Sequence, residues 1–102
     1  MIAEFIEGSG SLTLPPPVHL TGLQVTAWHV LMGVLTEGHK IARNRLWAEL
    51  TARAIAHLAQ TPGDLTQRRE LRILLRGFGW SAYDARRLSY ELPERVREEG
   101  AR

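Results

Sequence analysis

The chain has 102 residues, 44% hydrophobic and 24% charged, with no cysteine. That length suits one domain, 1–102, with a modest core, and the near-average composition argues against wholesale disorder. The missing cysteine excludes a disulfide scaffold, a thiolate zinc site, an iron–sulfur centre and a cysteine nucleophile, and a net charge of +2 is only mildly basic.

Residues 1–14 read as an extended arm. Ile2, Phe5, Ile6, Leu12 and Leu14 flank the turn-forming run Glu7-Gly8-Ser9-Gly10-Ser11, and a short β-hairpin fits this pattern. An isolated hairpin is marginal in water, so the arm is expected to pack on the rest of the chain. Glu4 and Glu7 stand where a secretory signal wants basic residues. Pro15-Pro16-Pro17 then forms a stiff extended segment, and 1–20 is read as arm plus rigid spacer.

The first helix opens near Thr21, an N-cap candidate with Gln24 at capping-box spacing and Leu20 and Val25 as a hydrophobic staple. Its apolar residues, from Leu23 to Leu35, cover most of the circumference, so it should be buried, with His29 in the core or at its boundary. Gly38 is expected at the left-handed C′ position. The run from Leu23 to Leu35 is 13 residues long, short of the roughly 20 that a membrane span needs. A cytoplasmic protein without a membrane segment is expected.

The second helix starts somewhere in 39–44 and ends at Gln60. Leu46, Trp47, Leu50, Ala54, Ile55 and Leu58 form its apolar stripe, and Arg45, Glu49, Arg53 and His57 its solvated side. In Thr61-Pro62-Gly63-Asp64, Thr61 reads as a cap and Pro62 as a first helical residue. The third helix spans about 65–77 with Leu71, Leu74, Leu75 and Phe78 inward. Gly77-Phe78-Gly79-Trp80 breaks it. Ser81, with Asp84 three residues on, opens a fourth helix that Pro93 should stop near Leu92. Residues 93–102 read as a charged, fraying tail. The expected fold is all-α: a compact four-helix core over 21–92 with an N-terminal arm and a helix-turn-helix-like C-terminal pair.

Placement of arginine is more informative than its number, since twelve of the 13 basic residues are arginine. Residues 1–60 are neutral, residues 61–90 carry six basic and three acidic side chains, and residues 91–102 carry three and four. The excess therefore lies on the third and fourth helices. At about 100° per residue, Arg68, Arg69, Arg72 and Arg76 form one stripe opposite the leucines. On the fourth helix, Tyr83, Arg86, Arg87 and Tyr90 recur at i, i+3, i+4 and i+7, opposite Ala85, Leu88 and Leu92. Tyrosine interleaved with arginine is the composition of an interface hot spot. The plainer alternative is a solvated face, with the arginines paired to Asp84 and Glu91.

A helix-turn-helix frame with Gly79 at its ninth position places Leu74, Phe78, Trp80, Ala85 and Leu88 at the apolar positions. Ser81, Ala82, Tyr83, Arg86, Arg87 and Tyr90 would then face the groove. Leu75, where the motif wants a small residue, and Gly77 inside the first helix depart from it, and an αα-hairpin fits equally well.

No catalytic, cofactor or metal motif emerges. The histidines form no i,i+4 pair. Gly77-Phe78-Gly79-Trp80-Ser81-Ala82 follows a helix, not a strand, so it is not a dinucleotide loop. The sequence therefore points to a non-enzymatic binding protein without cofactor, metal or small-molecule substrate. Its Arg/Tyr face would meet a protein partner or another copy, in regulation or assembly. Accessory proteins of phages and mobile elements are often short in this way. The alternative is a small DNA-binding regulator that uses residues 81–92 as recognition helix, although the local charge is small beside that of strong duplex binders.

Overall fold

The computed structural model describes residues 14–42 and 44–101, and among them it forms four helices and no strand. These are α1 (Leu23–Glu37), α2 (Arg45–Gln60), α3 (Leu65–Arg76) and α4 (Ala82–Gly100). The expected hairpin lies outside the described residues, apart from Leu14. No helix among the described residues is long and apolar enough to cross a membrane.

Helices α2 and α4 each touch the other three, whereas α1 and α3 do not touch and lie on opposite sides of that pair. Trp28, Leu31, Met32 and Leu35 from α1, Ile55 and Leu58 from α2, Leu71 and Leu75 from α3, and Leu92 and Val96 from α4 are fully buried. The central position of α2 decides which of its faces turns inward. Its core side is Ala48, Ala52, Ile55 and Ala59, mostly small residues that let neighbours approach on several sides. Leu46 and Leu50, expected in the stripe, are 61% and 45% exposed. His29, expected at the core or its boundary, is exposed.

The helix ends follow local chemistry. Asn44 caps α2 by accepting from the Trp47 N–H at 3.1 Å, and Ser81 caps α4 by accepting from the Asp84 N–H at 3.1 Å. At α3 the cap is Asp64, not Thr61, and its carboxylate accepts from the Gln67 N–H at 3.0 Å. A carboxylate at a helix start is favoured by the helix dipole as well as by the hydrogen bond, and Thr61 instead closes α2. Gly22 precedes α1, while Thr21 keeps half of the expected box, its N–H reaching Gln24 Oε1 at 3.3 Å.

The C-terminus of α1 corrects a second assignment. His39, not Gly38, takes the left-handed backbone, with φ of 55°. The Lys40 N–H bonds the Leu35 carbonyl at 2.8 Å and the His39 N–H bonds that of Thr36 at 3.1 Å. This is a complete Schellman closure with histidine where glycine is usual.

The proline segment is fastened to the bundle and is not a free spacer. Trp28 Nε1 donates to the Leu14 carbonyl at 2.7 Å, Arg45 donates to that of Pro15 at 3.0 Å, and Pro17 is buried.

The largest departure from expectation is α4, which runs through Pro93 to Gly100. A proline inside a helix removes the N–H that would bond the carbonyl four residues earlier. Here that carbonyl belongs to Ser89, and it accepts instead from Arg68 on α3 at 2.5 Å. Burial of Pro93 and Val96 holds the continuing turns against the core. Arg97 Nε donates to the Ala59 carbonyl at the end of α2, at 3.1 Å. Residues 93–97, read as part of a fraying tail, are therefore an integral part of the bundle.

Candidate functional site

The eight residues singled out on α3 and α4 separate into three groups. Arg68 is not on the exposed stripe. It is 6% exposed, and its guanidinium bonds the carbonyls of Ser89 and Pro62, at 2.5 and 2.7 Å. It also lies 4.2 Å from the ring centre of Tyr90, a cation–π contact. The angle itself carried one signal, since at about 100° per residue Arg68 lies roughly 20° from Leu75 and 60° from Leu71, at the apolar edge of the stripe. A second signal was Pro93, four residues after Ser89, because it creates a carbonyl in need of a donor.

Arg87 forms the second group. It holds Glu91 at 2.9 Å and Asp84 at 3.3 Å. Its guanidinium is shifted above its ordinary pKa, first by the hydrogen bond to Glu91 and then by that to Asp84. Its charge is locally balanced, as the plainer reading of the sequence expected for this pair.

The third group comprises Arg69, Arg72, Arg76 and Arg86. Arg72 is half-buried and the others are exposed, and none has a hydrogen bond or ion pair among the described residues. Tyr83 and Tyr90 accompany them, 76% and 53% exposed. The Arg68–Tyr90 contact shows that these groups adjoin. On α3 the free arginines lie on the side that includes Arg68. On α4, Arg86 and Tyr83 lie one and two turns before Tyr90 on the same face. One turn from the contact, forward along α3 and back along α4, leads to Arg72 and Arg86. The result is a two-helix surface with four unbalanced cations and two exposed phenols. A shallow groove of about 410 Å³ runs along its α4 side, lined by Tyr83, Arg86, Arg87, Tyr90 and Glu91. Glu91 was not among the expected site residues.

The helix-turn-helix frame is met in part. Gly79 has φ of 103°, and Leu74, Trp80, Ala85 and Leu88 are buried, with Phe78 half-buried. The Arg68–Ser89 bond, however, joins points far from the turn. At 1.5 Å per residue, two helices leaving the turn at a right angle would be about 16 Å apart there. The bond holds the two helices together well away from the turn, an arrangement that an αα-hairpin also satisfies.

The remaining titratable pairs serve the fold. His57 meets the α3 cap Asp64 at 2.8 Å, and His19 pairs with Glu49. Among the described residues no cluster of three or more His, Asp or Glu side chains could hold a metal. Compared with known proteins, the chain matches no family model, no curated protein and no solved structure.

Proposed function

We propose that the chain is a non-enzymatic binding module whose α3–α4 face docks an acidic surface of a protein partner, in regulation or assembly. The observation that carries this reading is the face itself: Arg69, Arg72, Arg76 and Arg86 without counter-charges among the described residues, beside exposed Tyr83 and Tyr90. Tyrosine and arginine supply large contact area and directional donors, which is why they recur at interface hot spots. The rigid hairpin limits the ordering cost of docking.

One feature favours protein over duplex DNA: four arginines without counter-charges among the described residues are few beside the roughly 6–10 phosphate contacts of a strong duplex binder.

The test is a titration with an acidic peptide carrying aliphatic side chains, followed by amide chemical shifts, on wild-type protein and on R72E/R86E and Y83A/Y90A. Saturable shifts concentrated at 69–76 and 83–90, lost in both variants while their helical circular dichroism is unchanged, are expected. Shifts elsewhere, or binding indifferent to both double substitutions, would overturn the assignment of the face.

A further inference from the structure

A second concavity lies at the end of the bundle, between the α1–α2 loop and the α3–α4 turn. Its volume is about 530 Å³, within the roughly 300–1,000 Å³ of small-molecule sites. Trp47, Phe78 and Ile41 line it with apolar surface. The Trp47 ring is fixed there: its Nε1 donates to the Leu74 carbonyl at 2.8 Å. It packs so closely on the turn that a Cβ at Gly77 would come within 2.5 Å of it.

The polar part of the cleft consists of donors. Lys40 and His39 line it, and among the described residues no acidic side chain does. Lys40 Nζ reaches the Gly79 carbonyl at 3.3 Å, which leaves it further donor capacity. Asn44 accepts from the Trp47 N–H through its side-chain oxygen, so its amide NH₂ is still a donor. Asn44 is also the cap of α2, a helix with no acid in its first turn, so the positive end of that helix dipole opens here.

His39 supplies an independent observation. A non-glycine residue in the left-handed region costs on the order of 1 kcal/mol, and such strain concentrates at ligand sites. Glycine would close α1 at lower cost, yet the residue at this position is an imidazole lining the cleft.

We propose that this cleft binds a small aromatic carboxylate. The ring lies against Trp47 and Phe78, and the carboxylate accepts from Lys40, Asn44 and His39. The cleft residues come from separate stretches of the chain and form no sequence motif, so the sequence alone suggests no small-molecule site.

The probe is indole-3-acetate, with indole-3-acetamide as its neutral counterpart, titrated into the full chain and followed by amide chemical shifts. Saturable shifts at 39–47 and 77–79 are expected with the acid, and binding of the amide should be about tenfold weaker or more, as loss of a charge-assisted bond implies. K40M should weaken binding of the acid by a similar factor. H39G should bind more weakly while unfolding at a higher denaturant concentration. Equal binding of acid and amide, wild-type affinity in both variants, or no saturable shift with either probe would overturn the proposal.

Discussion

Replacing Arg68 by methionine keeps a long side chain in place but removes both of its carbonyl contacts. The Ser89 carbonyl, which Pro93 already deprives of a helical donor, would then be buried without a partner. An orphaned carbonyl costs about 1–3 kcal/mol, and the charge-assisted bond to Pro62 contributes about 1.5–3 kcal/mol. Methionine offsets part of this, because it no longer buries a cation. The net loss expected for R68M is about 2–4 kcal/mol, a large share of the roughly 5–15 kcal/mol that holds a domain folded. P93A supplies the discriminating partner. An alanine at 93 has an N–H that can bond Ser89 directly, so P93A should restore more stability in the R68M background than it adds to wild type. Urea unfolding of the four proteins, followed by far-UV circular dichroism, measures this coupling. We expect about 1–2 kcal/mol with an unchanged denaturant slope. Additive effects within about 0.5 kcal/mol would show that Arg68 does not serve the carbonyl freed by Pro93.

Three further outcomes follow from the packing and the caps. G77A forces a methyl group into the Trp47 ring and should destabilise by about 1–3 kcal/mol, with a changed tryptophan emission; wild-type stability would refute the close approach. Asp64 is held below its ordinary pKa, first by the Gln67 N–H and then by His57, and Glu49 is lowered mainly by His19 with help from Arg53. Carboxyl groups lowered in the folded state contribute stability above their ordinary pKa and lose it as pH falls through the lowered value. Thermal stability should therefore fall as pH drops from the ordinary carboxylate range through the lowered values, and less so in D64N; an identical acid dependence in D64N would remove Asp64 from the account. The Y83A/Y90A protein should lose partner affinity with a stability loss limited to the Arg68–Tyr90 contact, about 0.5–2 kcal/mol; a collapse of stability on urea unfolding would make the tyrosines structural.

Local rules carried most of the fold. Ser81 followed by Asp84 marked the start of α4, the apolar spacing marked α3, and the Pro62-Gly63 break separated α2 from α3. What was not legible depended on partners distant in sequence. Pro93 reads as a helix stop until Arg68, 25 positions earlier, is seen bonding Ser89. The stripe of α2 was drawn through Leu46 and Leu50 because they are large, whereas a helix in contact with three others turns its alanines inward. The face of α3 and α4 was legible in outline from angle alone. Its composition changed because Arg68 is drawn into the core and Arg87 is balanced by Glu91 and Asp84. The cleft was invisible in the sequence, since it takes its walls from residues 39–41, 44 and 47 and from 77–79.

Of the six arginines on the α3–α4 pair that were singled out, four have no counter-charge among the described residues. Parallel titration of the protein with a 20-base-pair duplex and with the acidic peptide, at about 0.05 and 0.15 M salt, tests the meaning of that face most directly. We predict saturable peptide binding at both salt concentrations and little duplex binding at the higher one. Duplex binding that is tight at the higher salt, steepens as salt falls and is abolished by R72E/R86E, with an inert peptide, would contradict the account and establish the face as a nucleic-acid surface.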